Sequence, residues 1–333
     1  MEEAGREGSL ERGWHHLPDE IAEMVLLCTT HNPPESTAEL VALMVGRSVS
    51  RQWRSLLPFF PSDGDSPILF VFEFANYVAS NGFLSLLQWA GQFGCSWDER
   101  TCANAAGGGH LDFLKWVKFN GCPWSETTCS AAAGGGHLAV LKWARRNGCL
   151  WNELVCSAAA DGGNLEMLKW ARKHGCNWDH VTCSFAARGG HLEVLKWARE
   201  HGCPWNRHTC SAAAKYGHLE VLKWAREHGC PWSERTCAYA ARSGRLEVLK
   251  WLRENKCPWD STTCTAAIQG GHNEVLKWAT TNGCTWEEDV CNHAAFQGNL
   301  EILKSLRECG CKLFTETCEK AAKGGHLGVL KWL

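Results

Sequence analysis

The stretch G-C-P-W-S-E-R-T-C-A-Y-A-A-R-S-G-R-L-E-V-L-K-W-L-R-E-N, Gly229 to Asn255, decides the fold because it is one member of a series. Cysteine falls at 95, 122, 149, 176, 203, 230, 257, 284 and 311, and again at 102, 129, 156, 183, 210, 237, 264, 291 and 318. Both series step by 27 without a gap. Tryptophan keeps the same step from Trp89 to Trp278, with Trp332 in phase, and from Trp97 to Trp286. Recurrence at this period marks a stack of small structural units.

Each unit carries two helix signals. After the second Trp come Asp98, Ser125, Asn152, Asp179, Asn206, Ser233 and Asp260, all side chains that cap a helix N-terminus. A helix A of about ten residues follows and ends in a glycine pair or near-pair, such as Gly189-Gly190. Helix B runs from Leu192 to about His201, where Gly202 stops it in the left-handed region and Pro204 forbids continuation. A helix–turn–helix of this size cannot bury its own apolar face, so neighbours must stack into an α-solenoid.

The columns of the repeat divide core from surface. Those starting at Thr101, Cys102, Ala105 and Ala106 barely vary and share one helical face, which demands small, buried side chains. Those starting at Arg100, Asn104, Gly107 and Gly108 vary and form the opposite face. In helix B the columns of Leu111, Phe113, Leu114, Trp116 and Val117 are apolar, and those of Asp112, Lys115 and Lys118 are mostly charged. The varying face of helix A carries Phe185, Arg188, Arg207, His208, Lys215, Tyr216, Arg235, Tyr239 and Arg242 in the middle units. Aromatic residues with arginine are the composition of protein-binding hot spots. The expectation is a basic, aromatic concave patch over roughly 179–250 that takes an acidic segment of a protein partner. The competing reading is a solvated face that has drifted.

At Ala186–Cys203, A-A-R-G-G-H-L-E-V-L-K-W-A-R-E-H-G-C resembles the ankyrin repeat core, A-A-x-x-G-H-x-E-V-V-K-L-L-L-x-x-G-A. Nearly every unit carries it, so the resemblance covers about 265 residues. It implies a non-catalytic protein-binding solenoid. Ankyrin units run 33 residues and these run 27, with the shortfall where ankyrin proteins carry a β-hairpin finger. Fingers should therefore be short or absent, and binding should rely on helix A. The T-P-L-H motif is reduced to T-C-x-x.

Composition narrows the remaining classes. The chain has 333 residues, 45% hydrophobic, which excludes disorder. Thirty-four basic against 36 acidic residues give a net charge of −2, which argues against a nucleic-acid sleeve or a polybasic membrane binder. Met1 to Arg12 has no apolar signal core, and no run reaches the ~20 residues of a spanning helix. The expected compartment is cytoplasmic or nuclear, where thiols stay reduced.

Twenty Cys suggest a disulfide scaffold or a zinc protein, but the spacing opposes both. There is no C-x-x-C, and same-column thiols in units stacked ~8–10 Å apart are too distant to bridge. The expectation is small buried hydrophobes, with no metal and no cofactor. The Trp ladders read as core, at positions where ankyrin repeats place Leu. The column of His110, His137, His191, His218, His272 and His326 is interrupted by Asn164, Arg245 and Asn299, which suits a helix-start polar position better than catalysis. Gly107-Gly108-Gly109-His110 is a turn, not a phosphate loop. No catalytic residue is assigned, and no enzyme signature is present.

Residues 1–67 do not follow the repeat. Leu17-Pro18-Asp-Glu-Ile21 opens one helix, and a second, about 37–57, contains Val49-Ser-Arg-Gln-Trp53-Arg-Ser-Leu. The pair resembles an F-box, with Leu17, Pro18, Ile21, Val49 and Trp53 on the motif. That resemblance implies docking on the adaptor subunit of cullin-type (SCF) ubiquitin ligases, with the solenoid as substrate receptor. The residues also fit a plain helical cap, and the alternative function is a scaffold or effector that sequesters partners. The expected organisation is an all-α chain: an F-box-like helical module at 1–67 and an ankyrin-like solenoid of about ten units at 68–333. The first unit is degenerate and the last stops mid-helix at Trp332-Leu333, which reads as a fragment, an incomplete gene model or an end covered by a partner.

Overall fold

A computed structural model describes residues 75–91, 96–286, 289–308 and 310–333. The F-box-like residues Leu17, Pro18, Ile21, Val49 and Trp53 lie outside the described residues. Contacts divide the chain into two compact segments, Met1–Val155 and Cys156–Leu333, taken separately below.

Among the described residues every regular element is a helix, and the elements come in pairs. Helical residues 75–81 precede α1 (Leu84–Gly91). The first segment continues with α2 (Glu99–Gly107), α3 (Leu111–Phe119), α4 (Glu126–Gly134) and α5 (Leu138–Arg146). Helix α6 (Leu154–Asp161) begins beside the division and leads to α7 (Leu165–Lys173). The second segment continues with α8 (His180–Gly189), α9 (Leu192–Glu200), α10 (Arg207–Tyr216), α11 (Leu219–Glu227), α12 (Glu234–Arg242) and α13 (Leu246–Glu254). It ends with α14 (Ser261–Gln269), α15 (Asn273–Thr281), α16 (Val290–Phe296), α17 (Leu300–Glu308), α18 (Thr315–Lys323) and α19 (Leu327–Trp332). Even-numbered helices are the A helices. They stack on one another, α2 on α4 in the first segment and α8, α10, α12, α14, α16 and α18 in series in the second. Each packs its own B helix. No hairpin finger intervenes: Gly202 to Asn206 is a short irregular return.

The small-residue face explains the close stacking. Cys183, Ala186 and Ala187 are fully buried, as are their counterparts Cys210, Ala213 and Ala214. Side chains this small let helix backbones approach. Asp98, Ser125, Asn152, Asp179, Asn206 and Asp260 accept bonds from backbone N–H groups of the first turn, as their types dictate. Ser233 departs: its backbone N–H donates to Thr236 Oγ1, and its own hydroxyl is buried without a partner.

The Thr column is the other buried polar line, and it binds one unit to the next at a 25-residue reach. Thr101 donates to Asn76 at 3.0 Å, Thr209 meets Ser184 at 3.4 Å, Thr236 meets Ser211 at 3.3 Å and Thr317 donates to Asn292 at 2.8 Å. Thr128 and Thr263 have no partner. The residues that would face them are Ala103 and Ala238.

Two sequence expectations need correction. The Trp columns are not buried core: Trp116, Trp124, Trp197, Trp205 and their kin are half-buried. Within a unit the two rings meet edge-on, Trp178 and Trp197 with centroids 5.8 Å apart. An Arg from the preceding helix B lies over the loop ring, as Arg172 does over Trp178 at 4.2 Å. The indole is large and has a polar edge, so it seals the core rim instead of entering it. The second correction concerns thiols. Cys291 and Cys311, twenty residues apart, are bonded to each other. The 20-residue step, unlike the 27-residue one, joins the two ends of one helix pair, as Cys102 and Cys122 also show.

Candidate protein-binding face

The varying residues of the A helices sit where the stack leaves them. Arg207, His208, Lys215, Tyr216, Arg235, Tyr239 and Arg242 are exposed, with Tyr216 at 41% and Tyr239 at 36%. Phe185 and Arg188 are half-buried. Asp161, Arg188, Lys215, Arg242, Gln269, Phe296 and Lys323 occupy one column, a repeat apart on successive A helices.

Arg188 is committed inside the molecule. Its Nε and Nη2 each lie 2.6 Å from an oxygen of Asp161, and its guanidinium lies 4.1 Å over the Phe185 ring. The bonded carboxylate holds the guanidinium above its ordinary pKa, against the opposing effect of burial. Lys215 Nζ stands 5.2 Å over the Tyr216 ring. The structure thus brings Lys215, Tyr216, Tyr239 and Arg242 to the open surface. Arg207, His208 and Arg235 lie in the first turns of α10 and α12, at the opposite end of those helices.

The backbone under this column is fixed by the histidines. His191 Nε2 donates to the Asp161 carbonyl at 2.9 Å, His218 to that of Arg188 at 2.9 Å and His326 to that of Phe296 at 2.9 Å. Arg245 reaches the Lys215 carbonyl at 3.4 Å in the same way. The sequence places these side chains at a helix start, which is correct, but none of the histidines caps its own helix. They brace the preceding unit. The glycine column explains the space: Gly190 has φ +77°, and a Cβ there would stand 2.6 Å from the His218 ring.

The same face continues past the expected patch. Asp289, Asn292, His293, Phe296, Glu316, Lys320 and Lys323 line a cleft of about 320 Å³. Its signal was the exposed, out-of-pattern Phe296, 49% open, in the column of Arg188 and Lys215. Among the described residues no three His, Cys, Asp or Glu side chains converge as a metal site would require. No helix among them is long and apolar enough to cross a membrane.

Residues 155–206 and 210–253 match the family model described as ankyrin repeats (many copies). Those matched residues cover the units that carry the basic and aromatic side chains, and the stacked helix pairs agree with the match. This region is therefore made of ankyrin repeats, a class of protein-interaction module. A comparison with curated proteins gives no match.

Proposed function

We propose that the A-helix face of the units around α10 and α12 binds a protein partner through an acidic segment, without catalysis. The observation that carries this reading is the pair Lys215 and Arg242, exposed one repeat apart beside exposed Tyr216 and Tyr239, on braced backbone. Aromatic rings supply contact area with little entropy to lose, and the cations select an acidic stretch. We further propose that the F-box-like residues Leu17, Pro18, Ile21, Val49 and Trp53 dock on the adaptor of a cullin-type ubiquitin ligase, which would make the chain a substrate receptor. Their motif supports this, as does the division of labour between a docking segment and a recognition solenoid.

The test uses the full chain against an acidic, tyrosine-free peptide library, with Lys215→Glu/Arg242→Glu as the variant. Arg188 is left intact, since reversing it would set two carboxylates together. Capture weakened at least about tenfold, with an unchanged melting midpoint, supports the face. Equal capture by the variant rejects it. Co-purification with the ligase adaptor, lost in Leu17→Ala/Pro18→Ala, tests the docking half. A chain that captures acidic peptides yet never the adaptor is a scaffold or effector.

A further inference from the structure

The strongest unexplained feature lies inside the repeats and is independent of the binding face. In the eight units from Cys102 to Cys311, the cysteine of helix A meets the cysteine that follows helix B, twenty residues later. Cys102 Sγ lies 3.1 Å from Cys122 Sγ, and both are fully buried. Side-chain hydrogen bonds join Cys129 with Cys149 in the same segment. In the second segment they join Cys156 with Cys176, Cys183 with Cys203, Cys210 with Cys230, Cys237 with Cys257 and Cys264 with Cys284. Cys291 and Cys311 complete the series and are already bonded, with Cα atoms 7.2 Å apart. That separation lies beyond the ~4.4–6.8 Å a disulfide usually spans, so closure requires the backbone to move. The second thiol of most pairs also points at the helix cap: Cys122 donates to the Asp98 carbonyl at 3.1 Å, and Cys203 to that of Asp179 at 3.3 Å. The pair therefore sits where the start of helix A meets the exit from helix B.

We infer that these thiol pairs are modification sites, each closing to a disulfide under a hydroperoxide oxidant and clipping its own helix–turn–helix shut. The thiolate of one cysteine attacks the peroxide oxygen, giving a sulfenic acid and releasing the alcohol, or water from hydrogen peroxide. The second sulfur then attacks the sulfenic sulfur, the S–S bond forms, and water leaves with the second thiol's proton. The two sulfurs together give up two electrons, which reduce the O–O bond. A thiol reductant reverses the closure.

Mutual hydrogen bonding prepares Cys122, Cys149, Cys230 and Cys284. The bond from Cys102 holds the Cys122 thiol below its ordinary value against the opposing effect of burial, and Cys102, as donor, is pushed up. Cys230 and Cys210 divide the same way, and the hydrogen bond with Cys237 together with burial pushes the Cys257 thiol up. Burial keeps the oxidant out until the return after helix B opens, so closure proceeds through local opening.

The test treats the folded full chain with hydrogen peroxide, blocks free thiols with N-ethylmaleimide, and maps links by peptide mass spectrometry. Exposed Cys318 is the internal control for oxidant delivery. The expected result is links between positions twenty apart and nowhere else, with a raised melting midpoint that dithiothreitol reverses. Cys210→Ala should remove one link and leave the rest; Cys230→Ala is the second variant if the first fails to fold. Oxidation of Cys318 while the buried pairs stay alkylatable thiols overturns the inference, as do links scrambled among columns.

Discussion

His218 reaches back across one repeat and donates from Nε2 to the carbonyl oxygen of Arg188, 2.9 Å away. Its ring fills the space beside Gly190, where a Cβ would lie 2.6 Å from Nδ1. Gly202 shares the left-handed backbone, at φ +83°, with nothing within 4 Å of a Cβ. The two glycines separate conformational cost from contact cost. Gly202→Ala should lose about 1–2 kcal/mol for the left-handed backbone alone. Gly190→Ala should lose about 1 kcal/mol more, because the ring must leave its acceptor. In a His218→Ala background that excess should vanish, as measured by a denaturation double-mutant cycle.

The orphan Thr263 hydroxyl offers the opposite experiment. Its counterparts Thr209 and Thr236 bond to Ser184 and Ser211, twenty-five residues earlier, whereas the residue twenty-five before Thr263 is Ala238. Ala238→Ser should supply the missing partner and stabilise the chain by about 1 kcal/mol in urea denaturation. Ala103→Ser, facing Thr128, should do the same.

Lys256 stands in the column of Gly202 and Gly229, with φ 63° and an exposed side chain. Among the described residues it alone holds positive φ without being glycine. A non-glycine residue there costs roughly 1–2 kcal/mol, partly offset by the greater freedom of glycine in the unfolded chain. Lys256→Gly should therefore raise stability by about 0.5–1 kcal/mol by thermal melting.

The stacked cation on each loop Trp tolerates one replacement and not another. Arg199 lies 4.2 Å over Trp205 and donates to the Cys203 carbonyl. Lys118 fills the same role in its own unit, 4.4 Å over Trp124 and 3.2 Å from the Cys122 carbonyl. Arg199→Lys should cost less than about 0.5 kcal/mol, and Arg199→Ala about 1–2 kcal/mol through the lost stacking and bond. Tryptophan fluorescence melts would distinguish them.

Much of the fold was legible because a repeat displays its own columns. The caps Asp179 and Asn206, the stop at Gly202 and the buried Cys and Ala columns all follow from residue type and period. What escaped was contact between columns. Hydropathy marks Trp197 as apolar, but only geometry reveals an indole half-covered by a neighbouring ring and a stacked His201. The thiol pairs hid because 27 draws the eye along a column, and their partners sit 20 apart. For the binding face, exposure of Lys215 and Tyr239 was readable, while the pairing of Arg188 with Asp161 was in plain view as opposite charges one period apart.

The back-reaching bonds have one more consequence. The side-chain links of the Thr and His columns span 25 to 30 residues, from Thr209 to Ser184 and from His218 to Arg188, and so end in the preceding repeat. No link requires a particular number of repeats on either side. Unequal recombination could therefore insert or excise a whole repeat and leave the histidine-to-carbonyl joints, which ask only for a backbone acceptor, chemically complete. Length becomes a heritable variable, and with each added copy the lineage gains another blank position in the column of Lys215 on which selection can write a new specificity.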